Sequence, residues 1–165
     1  MKRNGSTIET LFHEKILLYR DLLETLKQEK ESIFKIDVDA LWRISDKKQR
    51  IASEIKGARQ KILDELTKAS IPHGMDIATF QAGEILSVVP STLSQRLRKV
   101  HVILVSLKNE IQNRLEENKE YVGEYLSVLD ELIGIITDAG TPKPVYGKNR
   151  CPEALTTNLF IHREV

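Results

Sequence analysis

Apolar residues recur at alternating three- and four-residue steps through three long stretches of this 165-residue chain, and proline is absent from all three. That period puts one apolar stripe on each of three long helices, and such a stripe must be buried against another helix. In the first stretch Phe12, Tyr19, Leu26 and Ile33 lie seven apart, with Ile16 and Leu23 between them. Ser6-Thr7-Ile8-Glu9 fits a capping box, Ser6 as N-cap and Glu9 reaching back to it. The spacing predicts a helix over about residues 7–35, roughly 40–45 Å long.

Ile36-Asp37-Val38-Asp39 breaks that helix. Asp37 is placed to cap the next, and Asp39 falls in its first turn, near the positive end of the helix dipole. The second stripe is Leu41, Ile44, Lys48, Ile51, Ile55, Ala58, Ile62, Leu66 and Ala69, ending at Ser70-Ile71-Pro72-His73-Gly74. So short a link between long helices forces an antiparallel hairpin. Met75 to Val89 reads as a short helix with Asp76 near its start. Pro90 closes it, and Ser91 or Thr92 opens the longest element. There Leu93, Leu97, Val100, Leu104, Leu107, Ile111, Tyr121, Tyr125, Val128, Leu132 and Ile135 hold the period until Gly140 and Pro142 stop it. At about 45 residues this helix spans roughly 65–70 Å.

The expected fold is therefore all-α, an elongated antiparallel three-helix coiled-coil bundle with one short extra helix over residues 1–140. Residues 141–165 lose the period and read as a mobile C-terminal tail with apolar anchors. Lys30, Lys48, Arg114 and Asn118 interrupt the stripes. The basic stems are expected to lie on apolar surface with their charged ends in water. Asn118 is a candidate for fixing register.

Several functions are disfavoured. Twenty-five basic against 24 acidic residues supply no cationic excess for nucleic acid or an anionic membrane. The single cysteine, Cys151, leaves no disulfide framework within a monomer and points to a reducing compartment. His13, His73, His101 and His162 fall into none of the usual metal-ligand spacings, and no glycine-rich phosphate loop is present. His13 and His101 also lack the Lys-Gly pair that follows a phosphorelay histidine. No catalytic residue, cofactor or metal is expected, so the chain does not read as an enzyme. No secretory signal or membrane-length apolar run occurs, and the expected location is the cytoplasm.

One segment departs from an ordinary coiled-coil seam. Tyr121, Val122, Tyr125, Leu126, Val128, Leu129, Leu132, Ile133, Ile135 and Ile136 spread over an arc of roughly 180°, wider than two heptad positions cover. Either the short third segment or the tail folds back over this face, or the face is a groove wall for an external helix; a tail that a partner displaces would satisfy both. Trp42, off the main seam, either packs at the bundle edge or serves as a surface anchor.

Leu18-Tyr19-Arg20-Asp21-Leu22-Leu23, Glu29-Lys30-Glu31 and Ile36-Asp37-Val38-Asp39-Ala40-Leu41 together resemble the opening of the FlgN family of flagellar export chaperones. Lys47-Lys48-Gln49 with Ile51, then Asn113, Leu115 and Asn118, and the run from Tyr125 to Leu132 are similar to its later helices. Tyr146-Gly147 resembles a tail element of the family, although Lys148-Asn149-Arg150 follows where an acidic or glycine-containing turn is usual. The resemblance implies a cytosolic chaperone that binds the helical C-terminal segments of hook–filament junction proteins. It would keep them unpolymerised and deliver them to the flagellar export apparatus at the membrane. The contact residues expected on that basis are Tyr121, Val122, Tyr125, Leu126, Leu129, Leu132, Ile133, Ile136 and Tyr146. The alternative is a structural coiled-coil adaptor that self-associates through the same face.

Overall fold

The computed structural model describes residues 2–139, which form four helices and, among the described residues, no strand: α1 (Lys2–Lys35), α2 (Val38–Lys68), α3 (Ala82–Val88) and α4 (Ser91–Ala139). The chain divides into two compact units, Met1–Val128 and Leu129–Val165. The all-α class is as expected; the expected tail over 141–165 lies outside the described residues.

In the first unit every seam residue predicted for α1 is buried, as are Ile44, Ile51, Ile55, Ala58, Ile62 and Leu66 of α2. Leu93, Leu97, Val100, Leu104 and Ile111 of α4 join the same core. Ion pairs give the helix directions. Asp21 meets Lys47 at 2.9 Å and Glu14 meets Lys61 at 3.5 Å, so α1 and α2 are antiparallel. Glu9 meets Arg96 at 3.0 Å and Lys30 meets Glu117 at 3.3 Å, so α4 runs alongside α1 in the same direction.

The polar interruptions of the seams are joined to one another. Buried Asn118 donates from Nδ2 to the Leu26 carbonyl and to Glu29 Oε2, both at 2.9 Å, and Glu29 also receives Lys48. One carboxylate thus ties α4, α1 and α2 at a single level. A one-turn slip of any helix would strand a partly buried charge, which is the physical content of fixed register. Lys30 and Arg114 converge on Glu117, so these basic groups end in ion pairs and not in water alone.

Two boundaries differ from expectation and one agrees. Helix α1 begins at Lys2, so Ser6 is not its N-cap: Ser6 is inside the helix and its carbonyl accepts from the Thr10 hydroxyl at 2.9 Å. A Cβ on Gly5 would lie 3.7 Å from the side chains of Leu93 and Arg96, so packing on α4 accompanies the extra turn. Asp76 does not start a helix; its Oδ1 accepts from Thr79 N–H at 2.7 Å and closes a turn, and α3 waits until Ala82. Asp37 does cap α2, its side chain accepting from Ala40 N–H at 2.9 Å.

Both α1 and α2 end in a Schellman motif without glycine. At α1, Ile36 has φ 53°, with Ile36 N–H bonded to Ile33 O and Asp37 N–H to Ser32 O, both at 3.0 Å. A β-branched residue is strained in this left-handed region. Ile36 is exposed and makes little use of its side chain in the core. Ile36→Gly is therefore expected to stabilise the fold by about 1 kcal/mol, the relieved strain exceeding glycine's extra unfolded-state entropy. Ile36→Ala, which keeps a Cβ, should gain much less. Urea unfolding midpoints test this, and a destabilised glycine variant would show that no strain is stored there.

Candidate functional site

The seam of α4 stops being buried after Asn118, although its apolar period continues. The last turn of α1 explains why. Phe34 packs against Tyr121 with the rings tilted and their centroids 4.9 Å apart, and Lys30 Nζ lies 5.0 Å from the centre of the Tyr121 ring. Helix α1 then ends at Lys35, and Ile36 turns the chain into α2. In the first unit, Val122, Tyr125, Leu126 and Val128 are exposed, Leu126 at 56%. Glu124 and Ser127, also exposed, supply polar neighbours on the same turns.

In the second unit the described residues are the end of α4. Leu129, Leu132, Ile133, Ile135 and Ile136 are all exposed, beside exposed Asp130 and Glu131. The Thr137 hydroxyl is turned back onto the Ile133 and Gly134 carbonyls at 2.9 and 3.0 Å, keeping the helix's own backbone as its partner. Tyr146 lies outside the described residues.

Of the nine predicted contact residues, then, Tyr121 is half-buried and held by Phe34 and Lys30, and seven are exposed. The short third segment does not cover residues 121–128. It packs at the other end of the helix, where Ser94 Oγ donates to the Leu86 carbonyl at 2.8 Å.

A second exposed apolar group lies at the α1–α2 turn, and of its members the sequence pointed only to Trp42. Phe34, Ile36 and Val38 surround the α1–α2 turn, and Trp42 follows at 68% exposure. Trp42 is thus a surface residue, which favours the anchor reading over edge packing. The available signal was the turn itself: Ile36 and Val38 occupy positions where glycine or a polar residue is usual, and neither fits the stripes on either side.

Chemically, this surface offers apolar contact area and a few carboxylates. Among the described residues no group of three or more His, Cys, Asp or Glu side chains could hold a metal ion, and no helix is long and apolar enough to cross a membrane. Runs of large exposed apolar side chains of this kind mark interaction surfaces, since isolated ones are common but contiguous ones are not. A family model described as FlgN protein matches residues 1–152. No curated protein and no solved structure matches the chain.

Proposed function

The chain belongs to the FlgN family of flagellar export chaperones, and from that premise we propose that it binds helical C-terminal segments of hook–filament junction proteins in the cytoplasm. It holds these segments unpolymerised and hands them to the export apparatus. The observation that carries the reading is the exposure of Val122, Tyr125 and Leu126 within the first unit, where the apolar period of α4 continues past the last turn of α1.

A client helix supplies that partner. In this reading α1, α2 and the first part of α4 form a three-helix coiled coil, and the client adds its own apolar stripe to α4 where the seam is open. Val122, Tyr125 and Leu126 of the first unit and Leu129, Leu132, Ile133 and Ile136 of the second are the contacts; Tyr121 borders them. Tyr146 joins them on the family resemblance. Charged neighbours such as Glu124 and Glu131 form a polar rim, which suits a complex that must later release its client.

The test is the light-scattering mass of the purified chain, alone and mixed with junction proteins. A stable complex is expected, and it should be lost when the client's C-terminal helices are deleted. Leu126→Glu should weaken binding by about 30-fold, the effect of losing a contact worth about 2 kcal/mol. Leu126 is exposed, so its circular dichroism should not change. A mass that rises with concentration and ignores these clients would instead support the self-associating coiled-coil adaptor.

A further inference from the structure

Away from the α4 face, the first unit contains a pocket of about 400 Å³ between α1, α2 and α4. Its walls include the apolar side chains of Tyr19, Ile55 and Ile111, while Lys56, Arg59 and Lys108 line it with positive charge and no carboxylate does. Lys15, one turn before Tyr19, is only 4% exposed. Its Nζ lies 5.5 Å from the centre of the Tyr19 ring and 4.5 Å from that of Phe80. Arg59 shares the Phe80 ring, its Cζ 5.8 Å from the centre.

Three cations thus line one cavity, and the Lys15 ammonium lies beside its Tyr19 wall. The other basic residues facing α1 are balanced: Lys47 by Asp21, Lys48 by Glu29, Lys61 by Glu14 and Arg96 by Glu9. Among the described residues no ion pair includes Lys15, Lys56, Arg59 or Lys108. Arg59 Nε is buried with no hydrogen-bond partner. Burial, then the charges of Arg59 and Lys108, push the Lys15 ammonium down to about 8 from its ordinary 10.5. The aromatic faces of Tyr19 and Phe80 offset part of that cost, but an anion would offset far more.

We propose that this pocket is a binding site for a carboxylate carried beside an apolar side chain on a partner polypeptide. The apolar group fills the space against Ile55 and Ile111. The carboxylate meets Arg59, whose planar fork suits it, with Lys108 and Lys15 adding charge. Lys56 and Lys108, exposed on α2 and α4, favour an acidic segment approaching along the helices. The site is separate from Leu126 and its neighbours, so it stands or falls independently of the client surface proposed above.

The experiment uses the full chain and three fluorescein-labelled twelve-residue peptides built from leucine and alanine: one with internal glutamates and both ends capped, its capped glutamine counterpart, and the glutamine peptide with a free C-terminal carboxylate. Anisotropy should report saturable binding of the glutamate peptide, about tenfold tighter than the capped glutamine peptide, with the preference collapsing in high salt. Tight binding of the free-terminus peptide instead would identify the carboxylate as a chain terminus. Arg59→Gln and, at an exposed position that does not threaten folding, Lys108→Gln should each remove most of the preference. Lysine-detected NMR should show the Lys15 titration moving upward when the peptide binds. Equal binding of charged and capped neutral peptides, no saturation by any, or binding that leaves the Lys15 titration unmoved would overturn the proposal.

Discussion

Phe12→Ala is expected to lower the free energy of unfolding by about 4 kcal/mol, the usual loss when a fully buried phenylalanine is truncated in a core that cannot collapse around the gap. Phe12 is wholly inaccessible to solvent. The Glu9–Arg96 and Glu14–Lys61 pairs place it where α1 faces both α4 and α2. Three helices held by ion pairs on either side of the void have little freedom to move inward. Domains of this size have only about 5–15 kcal/mol of stability in total, so the variant should unfold at a much lower urea concentration. The dependence on urea should be unchanged if the native state stays intact. A loss below about 1 kcal/mol would mean that the core around Phe12 repacks and is less tightly defined than the structure describes.

Lys15→Met, one turn along the same helix, should do the opposite and stabilise the protein at pH 7 by about 2 kcal/mol. In the unfolded chain this lysine holds its proton up to its ordinary 10.5, but in the folded protein only to about 8, first because it is buried and then because Arg59 and Lys108 repel it. A difference of that size corresponds to a cost of about 3 kcal/mol for folding with the charge in place. Lost contacts with the Tyr19 and Phe80 rings return roughly 1 kcal/mol of it.

The pH dependence has a definite sign. Below pH 8 both states hold the proton and the full penalty applies. From pH 8 to 10.5 the unfolded chain binds more protons than the folded one, so native stability from this group rises with pH. The advantage of Met should therefore be full at pH 7 and fade towards pH 10.5. Urea midpoints of both proteins at pH 7 and pH 10 measure it. A pH-independent difference, or a destabilised Met variant, would show that the ammonium is not held away from water. If the gain is seen, Lys15 works against the stability of the unit it sits in, first through its burial and then through the charges of Arg59 and Lys108.

Lys15 also marks a limit of reading the chain. It lies three residues after Phe12 and four before Tyr19, beside the predicted stripe of α1, which passes through Ile16. Lys30 and Lys48 were the interruptions the stripes showed, and both end in ion pairs with glutamates from another helix. Lys15 meets two aromatic rings and two further cations instead. Nothing within α1 distinguishes these outcomes, because the groups that decide them come from α2, from α4 and from Phe80 in the connection before α3.

Local signals fared best where the physics is local. The period placed the buried face of α1, α2 and the first half of α4, because a 3.6-residue helix projects those side chains to one side whatever the partner. Asp37 as the cap of α2 follows from one side chain and one backbone N–H three residues away. The start of α1 did not follow from Ser6, since packing on α4 accompanies a further turn of helix. Nor did the exposure of α4 beyond Asn118 follow from its broad apolar arc, which fits a covered face as well as an open one. A stripe shows which side of a helix is apolar. Only the tertiary structure shows that α1 ends opposite Tyr121, leaving Val122, Tyr125 and Leu126 apolar and uncovered, because burial depends on where another helix stops.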